Sequence, residues 1–584
     1  MAHRRTARTV AGPRGARTTA PGVARNLRHP LAPATLPDAM GEQAERSTTE
    51  HARLGRRAGL VAAGTLLSRV LGAVRDAVIA ASFPLVQTDA FVVAFTIPNA
   101  LRQVLGEGAM SAAVVPLLAE VRQRRGEAAA RALAGSLLGT LGALLLLVVL
   151  AGILLAPVLV ALYAAGYLQE PARYAMAVRL TRWLFPYLGL VGLGTVAAGA
   201  LHTAGRFAVP SAAPALLNVA LVAAPWLFAP VALALGGPEV LALALGALLG
   251  GTLQCALLLG SARRGGLLGR VRFAPRDPAV REAFRRLGPL AFGLGVYQLN
   301  LVASRLLASF LPHGAQSYLY YGQRLVEIPQ GMLALAVATA SLPTLSALGS
   351  RGEGERAYRV LRWGLRTTWF LATPAAALLL VLAEPTVAVV FGRGHFGAEA
   401  IAETARSLRW QAAGVLAVSS VRTLVPAFHA RGRTGLPVLA SAANLAVFVT
   451  VALLGMGALG HVGIALATAV ASTVQLGVLV AALRRLAGPL GAGELLGSLL
   501  RTGFASAGAA VVGWWVARGG SWSEGASAAN VVRLGLAGVA AAGAFLLAAR
   551  VLGMRELNEV LAVVRRRRSE ARTGEAGGKG AGST

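Results

Sequence analysis

The sequence has little cysteine and little charge. Cys255 is the single cysteine among 584 residues, so neither a disulfide within the chain nor a cysteine-based metal site can form. Asp, Glu, Lys and Arg make up 14% of the residues, whereas soluble domains usually carry about 25%. This shortage of charge excludes an ordinary soluble domain.

Acidic residues are scarcer than basic ones. There are 25 Asp and Glu against 56 Lys and Arg, a formal net charge of +31. Such a surplus is typical of nucleic-acid binding proteins, but here the arginines lie in the two tails and in short loops between apolar runs, which argues against a nucleic-acid partner. No HExxH, GxSxG or P-loop motif stands in a suitable context, and no large hydrophilic loop is present. We therefore predict no enzymatic activity, no cofactor and no metal site.

Apolar residues and glycine are abundant instead. Hydrophobic residues make up 55% of the chain and there are 70 glycines, with a mean hydropathy of +0.62. A helix needs about 20 apolar residues to cross a bilayer. Fourteen runs meet that length and predict an all-α integral membrane protein of about fourteen transmembrane helices. They lie near 58–83, 87–118, 132–163, 177–201, 210–234, 239–261, 288–312, 316–347, 365–391, 406–428, 436–456, 460–483, 498–517 and 532–552.

Arginine placement predicts the orientation. The loops after the second, sixth, eighth and twelfth runs carry arginines, such as Arg122, Arg270 and Arg484, whereas SFPLVQT, LPHGAQ and GMGALGH carry none. Because basic residues mark cytoplasmic loops, we expect both termini to be cytoplasmic.

An internal repeat divides the chain. Residues 179–210 match 406–437 without a gap; for example Trp183 and His202 correspond to Trp410 and His429. The offset of 227 residues covers six predicted spans, and an even number preserves direction, so the halves are parallel repeats. The predicted divisions are a disordered basic tail (1–57), a first lobe of spans 1–6 (58–262), a basic cytoplasmic linker (263–287), a second lobe of spans 7–12 (288–487), spans 13 and 14 (488–554) and a basic cytoplasmic tail (555–584). Two six-helix lobes facing each other would enclose a central cavity, which is a transporter architecture.

Charged residues lie inside the predicted spans. An arginine near the centre of a bilayer costs roughly 2.5–3.5 kcal/mol on insertion scales, so such residues persist where they face a wet cavity or pair with each other. Pairing alone accounts for single arginines, but the arginines outnumber the nearby acids. A cationic surplus suits a polyanion, and the planar fork of arginine suits pyrophosphate. The set comprises Arg69, Arg75 and Asp76 in span 1, Asp89, Arg102 and Glu107 in span 2, and Arg324 and Glu327 in span 8.

Several segments resemble a known family. Residues 68–121, beginning SRVLGAVRDAVIAASF, and residues 298–346, which include YLYYGQRL, are similar to the bacterial lipid II flippase family MurJ (MviN). GALHTAGRFAVP, FGRGHFG and PAFHARGRTGLPV match further motifs of that family. The resemblance extends over roughly residues 58–552. It places the chain in the multidrug/oligosaccharidyl-lipid/polysaccharide exporter superfamily, whose two-lobed fold agrees with the repeat.

The resemblance implies a substrate and a mechanism. The family moves lipid II, an undecaprenyl-pyrophosphate-linked disaccharide pentapeptide, from the inner to the outer leaflet of the bacterial cytoplasmic (inner) membrane by alternating access. Membrane lipids and the cell-wall synthesis machinery are the further partners it suggests. The alternatives are an exporter of another polyprenyl-linked glycan or of drugs, and a membrane scaffold without transport. By motif, the substrate-binding residues are Arg69, Arg75, Arg102 and Arg324, and the acidic or coupling residues include Asp76, Asp89 and Glu107. Glu327 joins the acidic residues because it lies three residues from Arg324 and can pair with it. The predicted hinges are the glycines that would absorb the bending of spans 1 and 2, namely Gly72, Gly106 and Gly108.

Two positions depart from the family pattern. Some members bind sodium through an Asp in span 7 and an Asn-xxx-Asp pair in span 11, where this chain has Ser304, Asn444 and Phe448. Since both acids are missing, we expect no sodium site there. Arg305 is also unexpected, and the sequence leaves open whether it faces the cavity or snorkels to the membrane surface.

Overall fold

The structure, a computed structural model, describes residues 64, 67–103, 109–331, 354–487 and 491–562. Within these ranges, the description of 109–112, 289–297, 354–358, 487 and 492 covers the backbone alone. The predicted tail 1–57 lies outside the described residues, as do residues 563–584 and three predicted site residues, Gly106, Glu107 and Gly108.

The described residues form helices and turns without a strand, as predicted. The α-helices are α1 (67–82), α2 (Leu85–Arg102), α3 (Ala109–Leu154), α4 (Ala156–Tyr163), α5 (Pro171–Thr203), α6 (Ala208–Ala234), α7 (Leu241–Arg264), α8 (Pro278–Ala308), α9 (315–331), α10 (Gly354–Val381), α11 (Ala383–Phe391), α12 (Ala398–Ala413), α13 (Val415–His429), α14 (Gly435–Leu459), α15 (His461–Ala487), α16 (Ala492–Ala517), α17 (Ala528–Val551) and α18 (555–562). A break at Gly126, where φ is 84° and ψ is 175°, divides α3 into two helices.

The chain is a multi-pass membrane protein. Within the part that the structure describes, nine helices are long and apolar enough to cross a membrane, or ten if the bent pair α12–α13 counts as one span. Helix occurs in every one of the fourteen apolar runs, but the count of fourteen spans stays a prediction.

The helix boundaries repeat with the offset predicted from the sequence. The starts of α4, α5 and α6 at Ala156, Pro171 and Ala208 recur 227 residues later in α11, α12 and α14. The repeat is not perfect, because α5 is one continuous helix while its counterpart bends by 42° between α12 and α13. The two-lobed design follows from this duplication.

The connections fall at two ends of the helical bundle. At one end, Gln87 Oε1 accepts from Val240 N at 3.2 Å, and Ala526 N donates to Gly392 O at 3.0 Å. We call this the far end. The other end carries the α7–α8 connection (265–277) and is called the linker end; there Arg122 Nη1 donates to Thr203 O at 2.8 Å.

The α7–α8 connection lies against the first lobe. Gly269 N donates to Arg131 O at 2.9 Å, and Ala274 N donates to Thr140 Oγ1 at 3.0 Å. Gly135 and Gly139 of α3 allow this approach, because a Cβ at either position would overlap the backbone of Arg270 or Arg272. The connection is therefore docked along α3.

Helix α8 belongs to both lobes. It begins at Pro278, before the predicted start of the second lobe at 288. Val280 and Ala283 pack in an apolar cluster with Leu117 and Leu137 of α3, whereas Leu307 and Ala308 pack with Phe448 of α14. The lobes are thus joined by a continuous helix.

The helices outside the repeat dock on the second lobe. Phe370 of α10 packs with Ala505 of α16 and Phe545 of α17. The predicted C-terminal tail begins with helix α18, whose Glu556 is buried and accepts hydrogen bonds from Arg366 Nε at 2.8 Å and Ser498 Oγ at 2.7 Å. This ion pair attaches the chain after the last span to α10 and α16.

Candidate functional site: arginines between the two lobes

Asp76 lies at the centre of a polar cluster between the lobes. Its side chain is buried, with 2% of the residue exposed. Oδ1 accepts from Arg75 Nη2 at 2.6 Å and Nε at 2.9 Å, and from the Tyr320 hydroxyl at 3.1 Å. Oδ2 lies 3.3 Å from Arg324 Nε. Since Asp76 is on α1 while Tyr320 and Arg324 are on α9, this carboxylate connects the first lobe to the second.

Arg75 is fixed by both of its neighbours in the first lobe. Besides its pair with Asp76, its Nη1 donates to Asn218 Oδ1 of α6 at 3.0 Å. Asn218 in turn donates from Nδ2 to Ser68 O of α1 at 3.0 Å. A guanidinium held from several sides keeps its orientation, which favours recognition of a planar or bidentate partner.

Arg324 is more accessible than Arg75. Its side chain is 35% exposed and pairs with Glu327 at 2.8 Å, three residues away on α9, as its spacing predicts. Nη2 donates to the Tyr320 hydroxyl at 3.2 Å, and the guanidinium carbon lies 5.0 Å from the centre of the Tyr320 ring. Arg324 thus presents a positive charge that is partly open to the space between the lobes.

The other two predicted arginines lie nearer the linker end. The guanidinium of Arg69 on α1 lies against Gly331 of α9, where a Cβ would overlap it. Arg102 is at the end of α2 and donates from Nε to Asn99 Oδ1 at 3.0 Å. Arg69 precedes Arg75 by six residues, about 9 Å along a helix. The arginines are therefore distributed in depth rather than gathered at one point.

Asp89 lies in a different place, at the far end. It is fully buried and pairs with the buried Arg173 of α5 at 2.7 Å. Asp89 also accepts from Gly314 N at 2.8 Å, Ser317 N at 2.8 Å and Ser317 Oγ at 2.6 Å. We call the contact between Asp89 and the start of α9, Gly314 and Ser317, the latch, because it joins the two lobes.

Two backbone contacts close the far end further. Gly166 N donates to Ser309 Oγ at 2.9 Å, and His395 N donates to Ala81 O at 3.0 Å. A Cβ on Gly166 would overlap the backbone of Ser309, so the lobes approach each other closely here. Within the described residues, the two lobes are closed at the far end.

Comparison with known proteins identifies the family. The family model for lipid II flippase MurJ matches residues 83–532. A lipid II flippase MurJ of Burkholderia cenocepacia is 35% identical over 435 residues, covering 74% of this chain and 84% of that protein. A probable lipid II flippase MurJ of Vibrio cholerae is 34% identical, covering 73% of this chain and 82% of that protein. The chain belongs to the MurJ lipid II flippase family.

Solved structures agree on the fold. A lipid II flippase MurJ in an inward closed conformation superposes with a TM-score of 0.69 at 21% identity, covering 84% of this chain and 99% of that one. An inward-facing multidrug resistance MATE family transporter of the MOP superfamily gives a TM-score of 0.59 at 14% identity, covering 72% of this chain and 95% of that one. The predicted family and its two-lobed fold are confirmed.

Within this MurJ fold, the predicted site residues separate into groups. Arg75, Asp76, Arg324 and Glu327 form one cluster, Arg69 and Arg102 lie toward the linker end, and Asp89 belongs to the latch. Helix α1 continues through Gly72 without a break. Glu107, Gly106 and Gly108 lie outside the described residues.

Four residues that sequence reasoning missed complete the cluster and the latch: Asn218, Tyr320, Arg173 and Ser317. Asn218 is a lone amide in an apolar run and could have been found by that signal. Tyr320 stands within the YLYYGQRL motif, but nothing in the sequence separates it from the buried Tyr321. Ser317 is chemically unremarkable until the fold brings Asp89 against it.

The residues at the family's sodium position make other contacts. Asn444 Nδ2 donates to Gln475 Oε1 at 3.1 Å, and Phe448 is buried in the apolar cluster with Leu307. Arg305 is also buried, and its Nη1 donates to the backbone oxygen and to Oε1 of Gln316, both at 3.3 Å. Arg305 therefore points toward α9 and does not snorkel to the membrane surface.

Proposed function

We propose that this protein carries lipid II from the inner to the outer leaflet of the bacterial cytoplasmic membrane by alternating access, and that it is a transporter without catalytic activity. Membership of the lipid II flippase family supports the substrate. The arginine cluster between the lobes supports the way the substrate is held. The lipid-linked pyrophosphate is the most highly charged part of lipid II, and arginine forks bind such groups through paired hydrogen bonds.

The single observation that carries the mechanism is the link from Asp76 to Tyr320 and Arg324. It joins charged groups of α1 and α9, one helix from each lobe, and so supports a binding site shared by the two lobes. A ligand that binds Arg75 and Arg324 together would therefore draw the two lobes toward each other at the depth in the membrane where it is bound. Its passage would change the relative position of α1 and α9, as alternating access requires.

The orientation follows from the arginine-rich loops. We assign the linker end to the cytoplasm, because Arg122, Arg270 and Arg272 lie there. Both termini are then cytoplasmic, and the closed latch faces the outside. Lipid II would enter on the side of Arg69 and Arg102, and the cell-wall synthesis machinery would receive it at the far end.

The test is complementation of a strain depleted of its own lipid II flippase. Arg324→Ala and Arg102→Ala are expected to abolish flipping while the proteins still accumulate in the membrane. Arg324→Lys should restore it only in part, because lysine keeps the charge without the fork. Arg518→Ala is the control, since Arg518 is exposed at the far end beside Trp514. Full complementation by both alanine variants would refute the proposed binding role.

A second experiment tests alternating access. On a Cys255→Ala background, Ala73→Cys places a thiol beside the cluster on α1. We expect an impermeant thiol reagent added outside to label only a fraction of the protein, and depletion of lipid II to change that fraction. Labelling that is uniform and unaffected by depletion would contradict the mechanism.

An exporter of other polyprenyl-linked glycans or of drugs is the alternative. It is supported by the likeness of fold to MATE transporters alone, at 14% identity. Complementation separates the two, because a drug exporter would not supply lipid II to the outer leaflet.

A further inference from the structure

Arg305 is an arginine at the lobe interface for which the described residues provide no acidic partner. Arg75 pairs with Asp76, Arg173 with Asp89, and Arg324 with Glu327. Within the part of the chain that the structure describes, no carboxylate lies within ion-pair distance of Arg305, although only 6% of the residue is exposed. A buried charge without a partner is costly, so the position calls for an explanation.

The guanidinium of Arg305 also has unused hydrogen-bonding capacity. An arginine side chain has five N–H donors. Nη1 makes two long hydrogen bonds to Gln316, and Nε is buried with no hydrogen-bond partner among the described residues. The carbon of the guanidinium lies 5.8 Å from the centre of the Tyr320 ring. The Nε edge of the guanidinium therefore has a donor that no described residue uses.

Arg305 lies in a series of arginines that extends from the central cluster toward the far end. Tyr320 lies between two guanidinium groups, with Arg324 at 5.0 Å and Arg305 at 5.8 Å from its ring centre. Arg305 O accepts from Ser309 N at 3.1 Å, so Arg305 is one helical turn from the far-end contact between Ser309 and Gly166. It therefore lies between the central cluster and the closed far end.

Arg173 continues this series beyond Arg305. It is buried beside Tyr167, with its guanidinium carbon 4.0 Å from the ring centre, and its charge is held by Asp89 in the closed state. When the lobes separate at the far end, Asp89 loses Gly314 and Ser317 as donors. Separation of the lobes would then open the unused Nε donor of Arg305 to the space between them.

From these observations we infer that Arg305 is an exit station for the diphosphate of the substrate. It takes up the phosphate oxygens after they leave Arg75 and Arg324 and holds them until the far end opens. This rests on the proposed function, in which a lipid diphosphate crosses from the linker end to the far end. The alternative is a structural role, in which Arg305 only connects α8 to α9 through its hydrogen bonds to Gln316. That role requires neither the positive charge nor the unpaired Nε.

The variant that separates these two roles is Arg305→Met, which keeps the length and packing of the side chain and removes the charge. Replacing a buried charge by an apolar side chain of similar size is often neutral for stability. The unfolding temperature of the purified variant should therefore stay within about 3 °C of the wild type. Arg305→Lys is the conservative variant, and Arg518→Met is the matched control at an exposed far-end arginine.

Two functional readouts locate the effect. Lipid II binding to Arg305→Met in nanodiscs should stay within twofold of the wild type, because Arg75 and Arg324 are intact. The arrival of lipid II in the outer leaflet of spheroplasts should fall at least tenfold, with Arg305→Lys between the two and Arg518→Met unchanged. Normal flipping by Arg305→Met, an equal loss of binding and flipping, or a lowered unfolding temperature would each overturn the inference.

Inorganic pyrophosphate distinguishes failure of this inference from failure of the proposed substrate. Calorimetric titration should show one more pyrophosphate bound per wild-type molecule than per Arg305→Met molecule, while the affinity of the site formed by Arg75 and Arg324 stays the same in both. If the wild type does not flip lipid II but this difference is present, the substrate is wrong and the anion station stands. If the wild type flips lipid II and neither pyrophosphate binding nor flipping depends on Arg305, the station alone is refuted.

Discussion

Tyr320 on α9 donates a hydrogen bond to Asp76 on α1, with 3.1 Å between the hydroxyl and Oδ1. The same hydroxyl accepts from Arg324 at 3.2 Å. One phenol therefore connects the acidic centre of the first lobe to Arg324, which is the more accessible arginine of the cluster. Because it joins groups that must part when the lobes move, its removal should affect transport more than folding.

Tyr320→Phe tests this connection. The variant loses the hydroxyl but keeps the ring that lies beside Arg305 and Arg324. Hydrogen bonds to charged groups contribute about 1.5–3 kcal/mol, so we expect flipping to fall roughly tenfold while the protein remains folded. Tyr320→Ala, which also removes the ring, should fall further. Equal flipping by Tyr320→Phe and the wild type would show that the hydroxyl is dispensable.

Much of this architecture is predictable from the chain alone. The 227-residue offset predicts where helices restart, because duplicated sequence keeps residues at its boundaries. The starts at Ala208 and Gly435 are an example, since each is followed two residues later by a proline, Pro210 or Pro437. The pairing of Arg324 with Glu327 follows from their spacing on one helix. Sequence repetition and local spacing are therefore enough to predict the helix starts and this ion pair.

Contacts between distant segments are beyond that reasoning. Asp89 is grouped by sequence with the cavity acids, but the structure places it against Gly314 and Ser317, more than 200 residues away. The short helix α18 begins in a segment predicted as a basic tail, and its burial depends on Arg366 in another span. Such positions depend on which lobe faces touch, which a single sequence does not encode locally.

The buried ion pair between Asp89 and Arg173 gives a stability prediction. Asp89→Asn removes the charge that faces the buried Arg173, and breaking one side of a buried pair costs about 3–5 kcal/mol. We expect a clearly lower thermal unfolding temperature in detergent. The double variant Asp89→Asn/Arg173→Met should recover part of the loss, since no unpaired charge then remains. Strict additivity of the two single effects would contradict a direct interaction.

Gly166 is a position at which an added side chain should force the two lobes apart at the far end. A side chain there would meet the Ser309 backbone, which cannot move as a flexible side chain does. Gly166→Leu should therefore hold the lobes apart at the far end. Ala80→Cys on a Cys255→Ala background reports this, because Ala80 is buried in an apolar cluster that includes Tyr318 and Tyr321 of α9.

The expected result is at least a fivefold increase in labelling of the thiol introduced at Ala80, by an external impermeant reagent, when Gly166 is replaced. Gly260→Leu is the control, because a Cβ at Gly260 has no atom within 4 Å among the described neighbours. Unchanged labelling in Gly166→Leu would show that the far end closes without this contact.

The docking of α18 should depend on pH. Burial of Glu556 raises its pKa, but hydrogen bonds from Ser498 and Arg366 outweigh burial and hold the pKa below its ordinary value of 4.5. A carboxyl group whose pKa is lower in the folded state than in the unfolded state stabilises the folded state at pH values above its unfolded-state pKa. That stabilisation is lost as the pH falls through the folded-state pKa. We expect the contact to persist at neutral pH and to weaken below about pH 4.5.

Proteolysis of the C-terminal segment between about pH 3 and pH 7, with an acid-tolerant protease, measures this. The wild type should be protected at neutral pH and cleaved faster as the pH falls below about 4.5. Glu556→Gln, which cannot ionise, should be cleaved faster at neutral pH and should show little dependence on pH. A wild-type profile as flat as that of the glutamine variant would refute the role of this carboxylate.

Finally, transport should not depend on sodium bound in the second lobe. Sodium needs several oxygen ligands, and carboxylates offset much of the cost of dehydrating it. Phe448 is buried in an apolar cluster, and Asn444 is engaged with Gln475. The membrane potential can act on the arginines instead, at about 2.3 kcal/mol per charge and 100 mV across the full field.

Replacing sodium by potassium in proteoliposomes at a clamped potential should leave lipid II flipping unchanged. Introducing both carboxylates, as Ser304→Asp/Phe448→Asp, is the matched variant and should make flipping respond to sodium. A several-fold fall in wild-type flipping that millimolar sodium restores would place a sodium site in this lobe after all.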